Sequence, residues 1–345
     1  MTAAPPAVLA AYGLDGPARA IQSGLINQTF AVARAAAPTQ PVAIVQRLHP
    51  VFGPEVNLDL DAVSAHLAAR GLVTPRLWRT VAGERWIEHD GGVWRAIDYV
   101  HGVTRQRVDS AATARAAGEL VGRFHRAVDS LDHEYAFARA GVHDTAKHLA
   151  ALQERSQRPS DHQDAIDADA RALARDILAQ ADALPPMPAL PLRHTHGDLK
   201  ISNLLFDPDD PQAGLCLIDL DTLGRQTMAY ELGDAMRSWC NPSGEDLTEV
   251  SLDAAIFAAA MAGHQVGSGG LLSAAERTGV VVGLETVCVE LAARFTVDIF
   301  DDRYFGWDPA RFASRRAHNL VRARGQLQLA RSTQAKRDAL LASVA

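Results

Sequence analysis

Short hydrophobic runs separated by turn residues make up most of the first hundred residues, and this pattern predicts β-strands. The predicted strands cover residues 18–22, 29–33, 42–48, 85–88 and 94–100. A single helix interrupts them at residues 59–70, where Leu60, Val63 and Leu67 fall on one stripe and Gly71 marks the end.

Hydrophobic positions recur every three or four residues after His101-Gly102, and this spacing predicts helices. The predicted helices cover residues 111–131, 161–184, 249–264, 272–299 and 308–341. Two short apolar segments, 204–206 and 215–220, interrupt this region and predict a β-hairpin. We therefore expect an α+β fold of two lobes, a strand-rich lobe over residues 1–100 and a mostly helical lobe over residues 101–345, with a hinge near residues 99–102.

Composition and charge narrow the class of protein. The 345 residues are 48% hydrophobic and 22% charged, which excludes disorder for most of the chain and allows two cores. Polar residues break each apolar run before it reaches the length of a membrane span, and the first residues lack the basic start of a secretory signal. Three scattered cysteines indicate a reducing compartment, so we expect a cytoplasmic protein with no membrane partner. The net charge of −7 argues against nucleic acid as a partner.

Two polar clusters bracket the predicted hairpin. Residues 196–203 precede it and Asp219-Leu220-Asp221 follow it, so we expect Asn203 and Asp219 to lie close together. An amide oxygen beside a carboxylate offers the hard oxygen ligands that Mg²⁺ prefers when it carries the phosphates of a nucleotide. Asp198 lies where it can accept a proton from an acceptor hydroxyl, and Lys200 can place a positive charge against a transferred phosphoryl group.

The order His-Gly-Asp-x-x-x-x-Asn, then Ile-Asp-x-Asp, resembles the aminoglycoside phosphotransferase and choline kinase group, whose fold is similar to that of protein kinases. The resemblance implies an enzyme that uses ATP and Mg²⁺. It implies that Asp198 is the catalytic base or the carboxylate that orients the acceptor, and that Asn203 and Asp219 are the metal ligands. The role of Asp221 stays open between a second metal contact and a residue that holds the loop by hydrogen bonds.

The N-terminal lobe departs from the kinase pattern because it contains no lysine. Kinase folds use a lysine on the third strand to hold the α- and β-phosphates, but the first lysine of this chain is Lys147. The predicted strand over residues 42–48 offers Gln46 or Arg47 instead, and alternation along a strand lets only one of them face the nucleotide. We favour Arg47, because arginine keeps the charge and adds a planar fork for phosphate oxygens.

Two further segments are candidates for nucleotide binding. The segment Ser23-Gly24-Leu25-Ile26-Asn27 corresponds by order to the phosphate loop, with Ser23, Gly24 and Asn27 as its candidate contacts. It has one glycine, so a plain hairpin turn is the alternative, and the downstream motifs are what favour the phosphate loop. The segment from Trp94 to His101 corresponds by order to the kinase hinge, so we expect backbone groups near Asp98, Tyr99 and Val100 to bind the adenine.

Several segments extend the resemblance to the N-acetylhexosamine 1-kinases. They lie at residues 23–30, 45–48, 94–95, 218–222, 230–237, 294–298, 302–305 and 318–324. This resemblance implies transfer of the ATP γ-phosphate to the anomeric hydroxyl of GlcNAc or GalNAc, a small-molecule sugar substrate. Arg294 and Tyr304 are the candidate sugar contacts beside Asp198. An ion pair with Glu290 is the alternative for Arg294, and core packing is the alternative for Tyr304.

Other functions remain open at this point. The same group of enzymes phosphorylates aminoglycosides, choline and homoserine, and a cationic acceptor would need acidic or aromatic side chains around it. Asp298, Asp301 and Asp302 are the candidates for such an acidic cluster. A catalytically inactive kinase-like binding protein is the alternative of a different class, and the missing lysine is the observation in its favour.

Overall fold

The computed structural model describes residues 3–21, 26–137, 141–159, 162–210 and 212–345. The strands are β1 (Ala18–Ile21), β2 (Gln28–Arg34), β3 (Ala37–Arg47), β4 (Ile87–His89), β5 (Gly92–Asp98), β6 (Val103–Thr104), β7 (Arg193–Thr195), β8 (Leu204–Phe206), β9 (Gly214–Leu217) and β10 (Gly224–Gln226). The helices are α1 (Pro6–Ala11), α2 (Val56–Ala69), α3 (Ala111–Val128), α4 (Thr145–Gln157), α5 (Ala165–Asp182), α6 (Met228–Trp239), α7 (Ala254–Ser268), α8 (Ala274–Asp301) and α9 (Arg315–Val344). The predicted α+β class, the five N-terminal strands and the β8–β9 hairpin are confirmed.

The chain forms two compact units that are not separated by a single cut. The first unit holds residues 1–103, 124–139 and 205–224, and the second holds 104–123, 140–204 and 225–345. The predicted division between residues 100 and 101 assigned the two later segments to the second lobe. Segment 131–137 belongs to the first unit because the Asp59 carboxylate of α2 accepts hydrogen bonds from the backbone N–H groups of Ala136 and Phe137, at 2.8 and 2.9 Å.

The first unit is built on an antiparallel sheet in the order β1-β2-β3-β5-β4. Val45 pairs with Phe30 on one side and Ala96 on the other, and the three side chains share one buried face. Since side chains alternate along a strand, the next position of β3, Gln46, lies on the opposite face beside Thr29 and Arg95. The sheet therefore presents one apolar face and one face with a polar row.

Glycines bring several helices of the second unit into direct backbone contact. A Cβ atom added at Gly118 of α3 would lie 2.0 Å from the Ala260 carbonyl oxygen of α7, and one at Gly267 of α7 would lie 2.1 Å from the Glu119 oxygen of α3. A Cβ at Gly283 of α8 would lie 1.9 Å from the carbonyl oxygen of Ala229 in α6. Only a residue without a side chain permits these approaches, which fix where α6 and its polar residues lie against α8.

The cysteines and the long helices can be compared with the sequence. Cys216, Cys240 and Cys288 are buried and unpaired, as small apolar side chains are expected to be. Among the residues that the structure describes, no helix combines the length and the apolar character needed to cross a membrane.

Candidate active site

A buried carboxylate holds the loop that follows β7. Glu231 of α6 accepts hydrogen bonds from the backbone N–H groups of His196 and Gly197, at 2.8 and 3.0 Å. Gly197 has a φ of 82°, a conformation that favours glycine, and it turns the chain toward Asp198. The Asp198 N–H in turn donates to the His196 Nδ1 at 3.3 Å. The backbone of residues 196–198 is therefore fixed by hydrogen bonds to the Glu231 carboxylate and to the His196 ring.

Three predicted residues of this loop are brought together. Lys200 Nζ lies 2.6 Å from Asp198 Oδ2, and the Asp198 side chain is 28% exposed. The Asn203 side-chain amide donates to the Asp198 backbone carbonyl at 2.9 Å. This bond uses the nitrogen of the Asn203 carboxamide and leaves its Oδ1 as the atom that can bind a cation.

The residues predicted to hold Mg²⁺ have chemistry that fits the ion. Asn203 offers an amide oxygen, and Asp219, two residues after β9, offers a carboxylate on a backbone with φ 66° and ψ 55°. Within the described ranges, no group of three or more His, Cys, Asp or Glu side chains is arranged to bind a metal. Two such ligands are fewer than Mg²⁺ takes, so oxygens from the nucleotide and water would complete its coordination. That Asn203 and Asp219 share one ion remains a prediction.

Asp221 is anchored by protein contacts on both carboxylate oxygens. Its Oδ1 lies 2.5 Å from Arg95 Nη1 of β5, and its Oδ2 accepts a hydrogen bond from Asn27 Nδ2 at 2.6 Å. The Arg95 and Asp221 side chains are 1% and 0% exposed. The Oδ1 makes this ion pair without a hydrogen bond. The contacts support the role of holding the loop, and the choice between that role and a metal contact stays a prediction.

Arg47, the residue expected to replace the kinase lysine, does not lie in the polar row of the sheet. Arg47 Nη2 donates to the Asp90 carbonyl at 3.1 Å, and its guanidinium covers Gly92 at the start of β5. The polar row contains Gln46 instead, whose Oε1 accepts from Arg95 Nε and Nη2 at 2.9 and 2.7 Å. Alternation along β3 is the reason: with Val45 in the core, Gln46 faces the buried pair and Arg47 faces away from it.

The candidate nucleotide contacts are only partly within the described chain. Ser23 and Gly24 lie outside the described residues. The Asn27 carboxamide is taken up by Asp221 and by the His49 N–H, which donates to its Oδ1 at 2.9 Å. This geometry makes Asn27 an anchor of the predicted phosphate loop, whereas its role as a nucleotide contact stays a prediction.

The segment predicted to bind adenine has two groups already engaged within the first unit. The Asp98 carboxylate accepts from the Arg76 N–H at 3.1 Å and from Trp78 Nε1 at 2.7 Å. The Tyr99 N–H donates to the Val42 carbonyl at 3.1 Å. That backbone groups near Asp98, Tyr99 and Val100 bind the adenine remains a prediction.

A polar cluster surrounds Arg294 in the second unit. Arg294 Nη1 lies 3.9 Å from Glu290 Oε1, so the predicted i to i+4 ion pair is present at long range. The buried Glu290 carboxylate also contacts His143 Nδ1 at 3.2 Å and accepts from Thr145 Oγ1 at 2.9 Å. The His143 ring stacks on Tyr230 of α6, with 5.1 Å between ring centres.

Charged neighbours shift the pKa values of His143 and Asp234 in this cluster. Burial alone would lower the pKa of His143, but the hydrogen bond to Glu290 and the nearby carboxylates outweigh it and raise the pKa above its ordinary 6.5. Burial alone would raise the pKa of Asp234, but Arg237, 2.7 Å away, and His143 lower it below 3.8. Glu231 holds the loop after β7, whereas Asp234, three residues later on α6, belongs to this cluster.

Tyr304 lies beside the same cluster and is not a core residue. Its side chain is 59% exposed and packs edge-on against Phe305 at 4.9 Å between ring centres. The Arg294 guanidinium lies 5.8 Å from the Phe305 ring. Asp298 fixes this segment by accepting from the Tyr304 and Phe305 N–H groups at 2.8 and 2.9 Å. Arg294 and Tyr304 thus both lie against Phe305, and their role as sugar contacts remains a prediction.

Sequence reasoning missed Arg95 and Glu231 as functional residues. Both stand inside segments noted for their resemblance to the sugar kinases, 94–95 and 230–237, which was the available signal. Neither reveals its partner in the sequence, because the hydrogen-bonded residues lie far away along the chain.

Comparison with known proteins shows the family and the fold of the chain. Residues 17–265 match the APH phosphotransferase enzyme family. A microcompartment-associated aminopropanol kinase superimposes with a TM-score of 0.64 and 16% identity, covering 96% of each chain. An aminoglycoside phosphotransferase from Alicyclobacillus acidocaldarius gives 0.58 and 16%, covering 99% of this chain and 95% of its own. The amicoumacin kinase in complex with AMP-PNP and Ca²⁺ gives 0.58 and 14%, covering 90% and 87%. These neighbours share the protein-kinase-like fold.

Proposed function

The chain belongs to the APH phosphotransferase enzyme family, and on that basis we propose that it is a sugar 1-kinase. The proposed reaction transfers the γ-phosphoryl group of ATP to the anomeric hydroxyl of an N-acetylhexosamine, GlcNAc or GalNAc. ATP with Mg²⁺ is the proposed cofactor, and the complex of amicoumacin kinase with AMP-PNP and Ca²⁺ supports a nucleotide with a divalent cation. The charge-compensated cluster around Glu290 is the observation that carries the acceptor class.

The loop after β7 has the groups that phosphoryl transfer requires. Asp198 is the proposed base, which orients the acceptor hydroxyl and takes its proton, a contribution of about 10²- to 10⁴-fold. Lys200, 2.6 Å from Asp198, fixes the carboxylate and brings a positive charge to the reacting groups. Mg²⁺ held by Asn203 and Asp219 would neutralise charge on the phosphates.

The acceptor cluster favours a neutral, hydroxyl-rich molecule. Glu290 already faces His143 and Arg294, and Asp234 faces Arg237, so each carboxylate has a cation beside it. A cationic amine would have to compete with these residues for the same oxygens. A sugar needs only hydrogen-bond donors and acceptors at fixed positions, which the cluster supplies.

Position along α6 links this cluster to the catalytic loop. Glu231 holds the loop, while Tyr230 beside it and Asp234 one turn later belong to the cluster. The exposed ring of Tyr304 adds an amphipathic surface of the kind that binds small ligands with one apolar face and several hydroxyls. These features support Arg294 and Tyr304 as sugar contacts.

The acidic cluster that an aminoglycoside would need has other partners. Asp298 accepts hydrogen bonds from three backbone N–H groups and from Asn319. Asp301 pairs with Arg155 at 2.7 Å, and Asp302 pairs with Arg315 at 3.4 Å. The amino-group acceptors of related kinases are therefore the second candidate, without a specific site in their favour.

An ADP-release assay with Mg·ATP tests the proposal against GlcNAc, GalNAc, glucose, kanamycin and choline. We expect turnover with an N-acetylhexosamine, ³¹P NMR showing phosphate on the anomeric oxygen, and loss of turnover in Asp198→Asn. Asp169→Asn, which removes an exposed charge on α5, is the matched control and should retain full activity. Turnover confined to kanamycin or choline would refute the sugar acceptor. Full activity in Asp198→Asn would refute the role of Asp198.

A further inference from the structure

We propose that Arg95 and Asp221 are positioning residues that fix the loop carrying Asp219, and that this buried pair supplies the order which other kinase folds obtain through their strand lysine. The inference rests on the nucleotide and metal half of the proposed function, and it is independent of the acceptor. All the residues concerned lie in the first unit.

Arg95 has no solvent-facing side from which to bind a phosphate. Its guanidinium contacts Asp221 through Nη1, Gln46 through Nε and Nη2, and Asn57 of α2 through Nη1 at 3.4 Å. The side chain is as buried as the core tryptophan beside it on β5, Trp94. Its charge is directed at the Asp221 loop, whereas a phosphate-binding lysine points its charge at the ligand.

Asp221 completes an anchor for a strained backbone. Asp219 has a positive φ, a conformation that non-glycine residues keep only where surrounding contacts impose it. Asp221, two residues later, provides such contacts through Arg95 and Asn27. The direction of the Asp219 carboxylate, the proposed metal ligand, therefore depends on the buried pair.

Asn27 extends the anchor to the predicted phosphate loop. Its carboxamide donates to Asp221 and accepts from the His49 N–H, so residue 27 is tied to the loop after β9 and to the end of β3. The bond from the His49 N–H does not involve Asp221, so Asn27 keeps this contact when the buried pair is removed. A change in the pair should alter metal binding before it alters nucleotide binding without metal.

A buried ion pair is poorly explained by stability alone. Replacing both members of such a pair by apolar residues of similar size is often neutral for folding, whereas removing one member leaves an uncompensated charge. The double variant Arg95→Met/Asp221→Leu therefore keeps the protein folded while removing the directed contacts. Arg85→Met, which removes an exposed arginine that pairs with Asp61 in the same unit, is the matched control.

Calorimetric titration with ADP, without acceptor and across a range of Mg²⁺ concentrations, tests the proposal. We expect the double variant to bind ADP in EDTA as the wild type does, and to need roughly 10- to 100-fold more Mg²⁺ for half-maximal enhancement, the usual effect of losing an outer partner of a metal ligand. Asp221→Asn, which keeps the side-chain shape, should shift the Mg²⁺ requirement in the same direction and serves if the double variant does not fold.

Three results separate the possible failures. An unchanged Mg²⁺ requirement in a folded variant would overturn the positioning role. Weaker ADP binding in EDTA would make Arg95 a direct nucleotide contact and would overturn it as well. A wild-type protein whose ADP affinity does not respond to Mg²⁺ would refute the nucleotide and metal part of the proposed function instead.

Discussion

The two hydrogen bonds that Glu231 accepts from the loop after β7 lead to a quantitative prediction for Glu231→Gln. The two carboxylate oxygens accept one backbone N–H each, from His196 and Gly197. Glutamine keeps one acceptor of nearly the same shape and places an amide N–H₂ against the other backbone N–H. One bond is lost, and two donors then face each other in a buried place.

The magnitude follows from the bond that is lost. A hydrogen bond to a charged group contributes about 1.5–3 kcal/mol, and a donor left without an acceptor adds to its loss, so we expect destabilisation of about 2–3 kcal/mol. For a domain of this size the melting temperature should fall by roughly 4–12 °C. Displacement of Asp198 should lower kcat by roughly 10- to 100-fold, because a shift of about 1 Å has that effect on a positioned group.

Two measurements check this on the same protein. Thermal unfolding gives the melting temperature, and ADP release at 25 °C, where wild type and variant are both folded, gives kcat with the best acceptor. Glu154→Gln, an exposed change on α4, controls for the loss of a carboxylate. An unaltered melting temperature would show that the two bonds contribute nothing, and an unaltered kcat in a destabilised variant would show that Glu231 does not position Asp198.

The remaining predictions concern packing and pH. Gly118→Ala should destabilise the protein by about 1–3 kcal/mol in urea unfolding, because its Cβ would meet the Ala260 oxygen at 2.0 Å; Gly306→Ala, which meets nothing within 4 Å, should be neutral, and equal effects would contradict the packing. The pKa of His143 is raised in the folded state by Glu290, so its contribution is complete below pH 6.5 and is lost as the pH rises through the folded value. Stability of His143→Gln should therefore fall less steeply than that of wild type above pH 6.5, and parallel profiles from urea unfolding would refute this.

Hydrophobic periodicity predicted the elements that bury one regular stripe or face. The stripe of Leu60, Val63 and Leu67 on α2 is buried as expected. Helix α4 escaped prediction, since Leu152 is the one buried residue described for it. A helix held at its surface by polar contacts leaves a weak hydrophobic signal.

In the site, too, contacts between residues close in the sequence could be predicted, whereas contacts between distant residues could not. Asp198, Lys200 and Asn203 are near neighbours in the chain, so their motif alone placed them together. The choice between Gln46 and Arg47 needed to know which side of β3 faces the core, and that depends on the strands paired with it. Partners that are distant in sequence cannot be read from one chain without its fold.

The interrupted first unit has a consequence for synthesis on the ribosome. Its sheet is complete once residue 103 has emerged, but Asp221, the partner of buried Arg95, belongs to segment 205–224. At about 5–20 residues per second, the nascent sheet waits roughly 6–24 s for that carboxylate. During this interval Arg95 of β5 lacks its ion-pair partner from the loop after β9, and a buried charge without its partner destabilises the nascent sheet. A fragment ending at residue 103 would keep that state permanently.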